Sequence, residues 1–194
     1  MELFDKKGFD TMANTSEKCR VITGPNTVFA YLCVNYPKTP SHGGTIPIYS
    51  ARLIIPKSDK ATMDKIQMAI ANAYVEGQKI LLRGYDSVTP DACRMPVADG
   101  DLDYPNVPEY KDSWYINANS HDKPGIVDGA LNHISDTSEL YSGIIGRASI
   151  QFYAFNSRGQ RGIACALRNI QKLADGRHLG GNNGPTAEEE FKGL

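Results

Sequence analysis

The densest collection of groups able to do chemistry lies in residues 146–171, GRASIQFYAFNSRGQRGIACALRNIQ. Its first half alternates with period two, the pattern of a half-buried strand. Ala148, Ile150, Phe152 and Ala154 share one face; Arg147, Ser149, Gln151, Tyr153 and Phe155 share the other. That second face mixes a guanidinium, hydrogen-bonding groups and two aromatic rings. Arg158 and Arg161 follow in a turn containing Gly159, and Arg168 lies on the return strand. Rings stack on bases while cations follow phosphates, so such a face suits an unpaired nucleic-acid strand held without reference to its sequence. The competing reading is an edge strand whose aromatics pack beneath a loop and whose arginines are simply solvated.

Other candidate chemistry is thinner. Asp99, Asp101 and Asp103 place acids at alternate positions, as a calcium loop begins. Tyr104 stands where that loop needs glycine and Tyr110 where it needs its last glutamate, so a solvated acidic turn is expected and no metal is assigned. A two-metal nuclease built on the same acids is the enzymatic alternative. His42, His121, His133 and His178 form no ligand pattern, and no nucleophile elbow, Walker loop or dinucleotide fingerprint occurs. Neither a cofactor nor catalysis is expected. Trp114 and Tyr115 sit on opposite faces of one predicted strand; one ring fills the core, the other is available for stacking, and alternation does not decide which. Glu188, Glu189, Glu190 and Phe191 make an acidic, aromatic end that could dock on a basic groove, its own or a partner's, or merely solubilise the terminus.

The elements that must position these groups follow from pattern. Residues 1–17 read as a mobile arm. Residues 19–22 and 27–34 are β-rich, separated by Gly24-Pro25-Asn26, a turn or a bend in one long strand. In residues 46–55, Tyr49, Ala51, Leu53 and Ile55 alternate against Ile48, Ser50, Arg52 and Ile54. One helix follows, with Ser58 as N-cap, Gly77 as terminator and an apolar stripe of Met63, Ile66, Ile70 and Ala73. Residues 84–109 form a Pro-, Asp- and Gly-rich excursion, 113–118 a short strand and 126–128 an edge pairing. Residues 176–185 read as a linker to the acidic end. Five or six strands and one helix, without βαβ alternation, predict a mainly β chain folded as a small antiparallel barrel. The domain spans 18–175, between the arm and a tail at 176–194.

Composition fits this plan. The 194 residues, 41% hydrophobic and 22% charged, suit one soluble globular domain. No apolar run approaches the ~20 residues of a membrane span, and the opening MELFDKKGFD lacks the apolar core of an export signal. Cys19, Cys33, Cys93 and Cys165 are scattered, as in a reducing cytoplasm, and Cys33 and Cys165 read as small core residues. The net charge of −1 conceals a basic region: residues 141–178 hold six cations and one acid, giving +5. A whole-chain charge near zero therefore does not exclude a polyanionic partner.

Taken in order, IPIYSARLIIPKSDKATMDKIQMAIANAY, DGDLDYPNVPEYKDSWYINANS, PGIVDG, YSGIIGRASIQFYAFNSRGQRGIACALRNIQKL, LGG and the acidic, aromatic end resemble the bacteriophage-encoded single-stranded-DNA-binding proteins. The resemblance covers residues 46–191. It implies an OB-fold-like antiparallel barrel with one inserted α-helix and a flexible acidic tail, coating single-stranded DNA in the host cytoplasm during phage replication or recombination. It also implies a tail that competes with DNA or recruits replication or recombination proteins. Arg52, Lys57, Arg147, Tyr153 and Phe155 match positions on the DNA face, and Phe191 matches the tail aromatic. Together with the face described above, the expected nucleic-acid-binding set is Tyr49, Arg52, Lys57, Trp114, Tyr115, Arg147, Tyr153, Phe155, Arg158, Arg161 and Arg168. A homodimer is compatible with this plan, and a protein-interaction module on the same barrel is its non-enzymatic alternative.

Overall fold

A computed structural model describes residues 16–39, 45–84, 86–157 and 159–179, together with Lys192. Arg158 and the tail residues Glu188, Glu189, Glu190 and Phe191 lie outside the described residues, as do residues 1–15 of the arm. The strands are β1 (Arg20–Ile22), β2 (Thr27–Lys38), β3 (Ile48–Pro56), β4 (Val97–Asp99), β5 (Ser113–Ser120), β6 (Gly125–Val127), β7 (Ile145–Ser157) and β8 (Gln160–Ala174). β1 and β2 lie one after the other along β7, with Val21 opposite Ile150 and Val28 opposite Ile145. Gly24-Pro25-Asn26 is therefore a bend in a continuing path, not a hairpin. Pairing runs from β2 to β3, β5, β8 and β7, then returns to β2. The third and fourth members of this ring, β5 and β8, are parallel and meet at one register pair, Asn119 with Ala166. The result is an OB-type barrel, not strictly closed at that junction.

Side-chain parity sets the inside. Ala148, Ile150, Phe152 and Ala154 of β7 are all buried in one core with Phe29, Leu53, Ile55 and Ile116. On β8 the core positions are Ile163, Cys165 and Leu167, then Ile170, one residue out of phase. The extra residue is Arg168: Leu167 pairs with Ile150, Asn169 with Ser149, and Arg168 bulges between them. A bulge lets both halves of a long strand keep their apolar side inward.

The long helix α1 (Lys60–Glu76) contributes Met63, Ile66, Ala69 and Ala73 to the same core, with Ile70 half-buried against it. Asp59, not Ser58, is its N-cap, and its carboxylate accepts from the Thr62 N–H at 3.1 Å. Gly77 ends it against the barrel wall, where a Cβ would overlap that of Ala154. A one-turn helix, α2 (Gln78–Leu81), follows, and Asn156 of β7 donates to the carbonyls of Ile80 at 3.1 Å and Arg83 at 3.0 Å. Such a side chain satisfies carbonyls that a helix end leaves open.

The excursion at 84–109 is more ordered than its composition predicts. It contains β4, which pairs with β5, and a short helix α3 (Gly100–Asp103). The start of the presumed linker also departs from expectation. Residues 176–179 fold back on the barrel, with the Leu179 N–H donating to the Ser142 carbonyl at 2.7 Å and His178 stacked on Tyr141 at 3.8 Å. Cys165 is buried, but Cys33 is only half-buried, because β2 slips register between Ala30 and Cys33. No helix among the described residues is long and apolar enough to cross a membrane.

Candidate functional site

The barrel has a second ordered face. Across β2, β3 and β5, Val28, Ile54 and Tyr115 lie in one row, Ala30, Arg52 and Asn117 in the next, and Cys33, Ser50 and Asn119 in a third. These residues point away from Phe29, Leu53 and Ile116, and Ala30, Ile54 and Tyr110 form an apolar cluster separate from the main core. The loop from α3 to β5 folds over this face and delivers Tyr104 and Tyr110. In OB-folds the face of the second and third barrel strands, here β3 and β5, is the one that carries ligands.

Arg52 is the centre of the face. Its guanidinium carbon lies 4.8 Å from the Tyr31 ring centre, 5.2 Å from Tyr104, 5.8 Å from Tyr110 and 4.7 Å from Tyr115. Nε donates to Asn117 Oδ1 at 2.8 Å, and Nη1 to the hydroxyls of Tyr104 at 2.7 Å and Tyr110 at 3.0 Å. Burial disfavours the Arg52 charge, but the hydrogen bonds to Tyr110 and Tyr104 outweigh it and hold the group firmly cationic. Tyr104 and Tyr110 stack at 4.3 Å, and Tyr115 meets both edge-on. Burial first, then a 2.7 Å hydrogen bond to Asp103, pushes the Tyr115 phenol up to about 12. Tyr110 is raised by burial as well. Tyr110 and Tyr115, both pushed upward, therefore stay neutral at physiological pH beside the Arg52 cation.

Tyr31 is the exposed member, 67% accessible, and adopts φ 47°. A bulky side chain in left-handed backbone is a strained arrangement, commonly maintained at functional positions. The register slip in β2 produces it. By simple alternation Tyr31 would share the inward face of Phe29; the extra residue turns it outward over Arg52.

The remaining sequence candidates are dispersed. Trp114 packs against the main core and Tyr115 belongs to the Arg52 platform, which resolves the pair that alternation left open. Lys57 is engaged by Asp99 Oδ1 at 2.7 Å and Asp101 Oδ2 at 2.7 Å, with its ammonium 4.7 Å from the Trp114 ring centre. Its charge is neutralised within the protein. The same contacts account for two of the three acids of the calcium-like turn, and the third, Asp103, accepts from Tyr115. Tyr49 is half-buried with the inward parity of Ala51 and Leu53.

On the β7–β8 hairpin, Arg147 is exposed opposite Gln171, and Arg168 donates to Gln151 Oε1 at 3.0 Å. Phe155 and Tyr153 are half-buried, and burial raises the Tyr153 phenol to about 12. Arg161 pairs across the hairpin with Asn156, on the side that meets α2, not with Phe155. The hairpin's outer face adjoins β5 through Asn119 and Ala166, one strand beyond the Arg52 platform.

Sequence reasoning missed Tyr31, Tyr104 and Tyr110. The first is hidden by the bulge, and the other two sit in a proline-rich loop with no period to reveal a face.

The sequence profile described as "Enterobacter phage Enc34, ssDNA-binding protein" matches residues 19–193. The chain belongs to that family. Its fold matches the single-stranded DNA-binding protein from bacteriophage Enc34 in complex with ssDNA, 21% identical, with a TM-score of 0.69 over 86% of this chain and 92% of that one. A C-terminal truncation of the Enc34 protein is 20% identical, with a TM-score of 0.64 over 85% and 91%. The single-stranded DNA-binding protein gp2.5 of bacteriophage T7 is 14% identical, with a TM-score of 0.52 over 87% and 98%. At these identities the structural likeness establishes the fold. No curated protein sequence matches the chain.

Proposed function

We propose that this chain binds single-stranded DNA without sequence preference and coats it during phage DNA replication or recombination. The observation that carries the reading is the Arg52 guanidinium set among four tyrosine rings on the outer face of β3 and β5. A fixed cation surrounded by aromatic rings offers one phosphate contact and several stacking surfaces, the combination that holds a single strand without reading its sequence. Family membership, and a fold shared with a protein whose structure holds ssDNA, support it. Arg168, Arg147 and Phe155 extend the path onto the adjoining hairpin. Lys57 is left out, because a phosphate there would compete with two carboxylates. The reading is of a binder, not a catalyst.

Anisotropy of labelled oligothymidine, titrated at several salt concentrations, tests the reading. Arg52→Ala should weaken binding at least tenfold at low salt and flatten the log K against log salt slope by about 0.7, one phosphate contact on a single strand. Wild-type protein that leaves oligothymidine unbound in dilute buffer, or an Arg52→Ala variant that binds like wild type, overturns it.

A further inference from the structure

Beside the Arg52 platform lies a groove of 940 Å³, within the range of pockets that enclose organic ligands. The β2 bulge, with Tyr31 and Cys33, lines it together with residues 106–110 of the loop, and His178 and Leu179 of the folded-back segment. Ala30 and Ile48 add apolar surface, Ser50 and Asn106 add polar groups, and Lys38 and Arg177 supply cations. Tyr31 and Tyr110 belong to both places: each rings Arg52 and each lines the groove. Platform and groove are one continuous surface. Arg177 meets Glu109 at 3.5 Å with its side chain largely in solvent, a pairing that a phosphate can readily exchange.

We infer that this groove receives an unstacked base, with its nucleotide, from the DNA strand lying on the Arg52 platform. The inference rests on the single-stranded-DNA reading above and adds to it the source of strand selectivity. A cation among rings attracts phosphates of any nucleic acid. A groove walled by the β2 bulge and by the 106–110 loop admits a base only after it has left its partner and its stack. The apolar surface suits the faces of the base, Ser50 and Asn106 suit its edge without selecting one sequence, and Lys38 and Arg177 meet the flanking phosphates.

Cys33 makes the test direct, because it lines the groove while Cys19, Cys93 and Cys165 are buried. The full chain is alkylated with N-ethylmaleimide, alone and with saturating oligothymidine, and adducts are assigned by peptide mass spectrometry. Bound oligothymidine should slow Cys33 modification at least tenfold, whereas a duplex of equal length should leave it unchanged. Protein carrying a fluorescein maleimide adduct on Cys33 should bind oligothymidine at least tenfold more weakly. Cys33 reacting at its free rate inside a complex that anisotropy shows to be saturated overturns the inference, as does equal protection by the duplex, while leaving the function standing. Failure of the unmodified chain to bind oligothymidine sinks the function itself.

Discussion

Tyr31 shows what a single residue can reveal about purpose. Left-handed backbone costs a bulky residue of order 1–3 kcal/mol, and a cation–π contact with Arg52 returns about 0.5–1 kcal/mol at an exposed site. The site thus retains a conformation that stability alone does not favour. Glycine adopts φ 47° without strain, though it adds entropy to the unfolded chain. Tyr31→Gly should therefore change urea-unfolding stability by less than about 1 kcal/mol, because strain relief offsets the lost contact and the added chain entropy. The same variant should lose about 1–3 kcal/mol of oligothymidine affinity, the contribution of one stacked base. A variant that binds DNA like wild type would show the exposed ring to be incidental. Alternation alone places Tyr31 inward beside Phe29; no residue type in YLCV announces the inserted position that turns it out. By contrast the side of the strand that Arg52 shares with Ser50 and Ile54 was legible, because that strand keeps strict period two from Tyr49 to Ile55; its place on a DNA face came from the family resemblance.

At the scale of elements, long alternating runs were readable and irregular ones were not. β7 carries its apolar set where the pattern predicts, and α1 lies within a residue or two of its predicted ends. The excursion before β5 resisted reading because its order comes from side-chain contacts distant in sequence. Lys57, at the end of β3, grips Asp99 of β4 and Asp101 of α3, and the Lys57 N–H donates to the Asp112 carbonyl at 2.8 Å. This clamp seats the loop that brings Tyr104 and Tyr110 over Arg52. Its hydrogen bonds to Lys57 hold both aspartates below the usual carboxylate range and raise the lysine. Groups with depressed pKa stabilise the fold fully above the unfolded value, about 3.9, and lose that contribution as pH falls through the lower folded value. The raised lysine contributes below its unfolded value of about 10.4 and loses its part only as pH climbs beyond it. Acidification below about pH 4 should therefore release the clamp. Trp114, the chain's one tryptophan, lies under the Lys57 ammonium and reports the event as a fluorescence change. Asp101→Asn should move that transition toward neutral pH, and an unchanged acid profile would show that the clamp does not hold the loop.

For the molecule as a whole, the sum of charges says little and their placement says much. The C-terminal segment does not leave the barrel at β8. It returns across the platform side, where Leu179 packs near Ala30, Ile54 and Tyr110 and lines the groove. Glu188, Glu189 and Glu190 follow within a short tether, which gives them an effective concentration near the site in the millimolar range. A tethered anion at that concentration would compete with phosphate for Arg52, Arg177 and Lys38, and salt would screen the competition as it screens DNA binding. Removing residues 186–194 should tighten oligothymidine binding severalfold at low ionic strength, with the gap between truncated and full chains closing as salt rises. Anisotropy titrations of both forms across a salt series measure it. Equal affinities at the lowest salt would mean that the acidic end does not compete for the groove, which leaves it as a recruiter of another protein or a solubiliser.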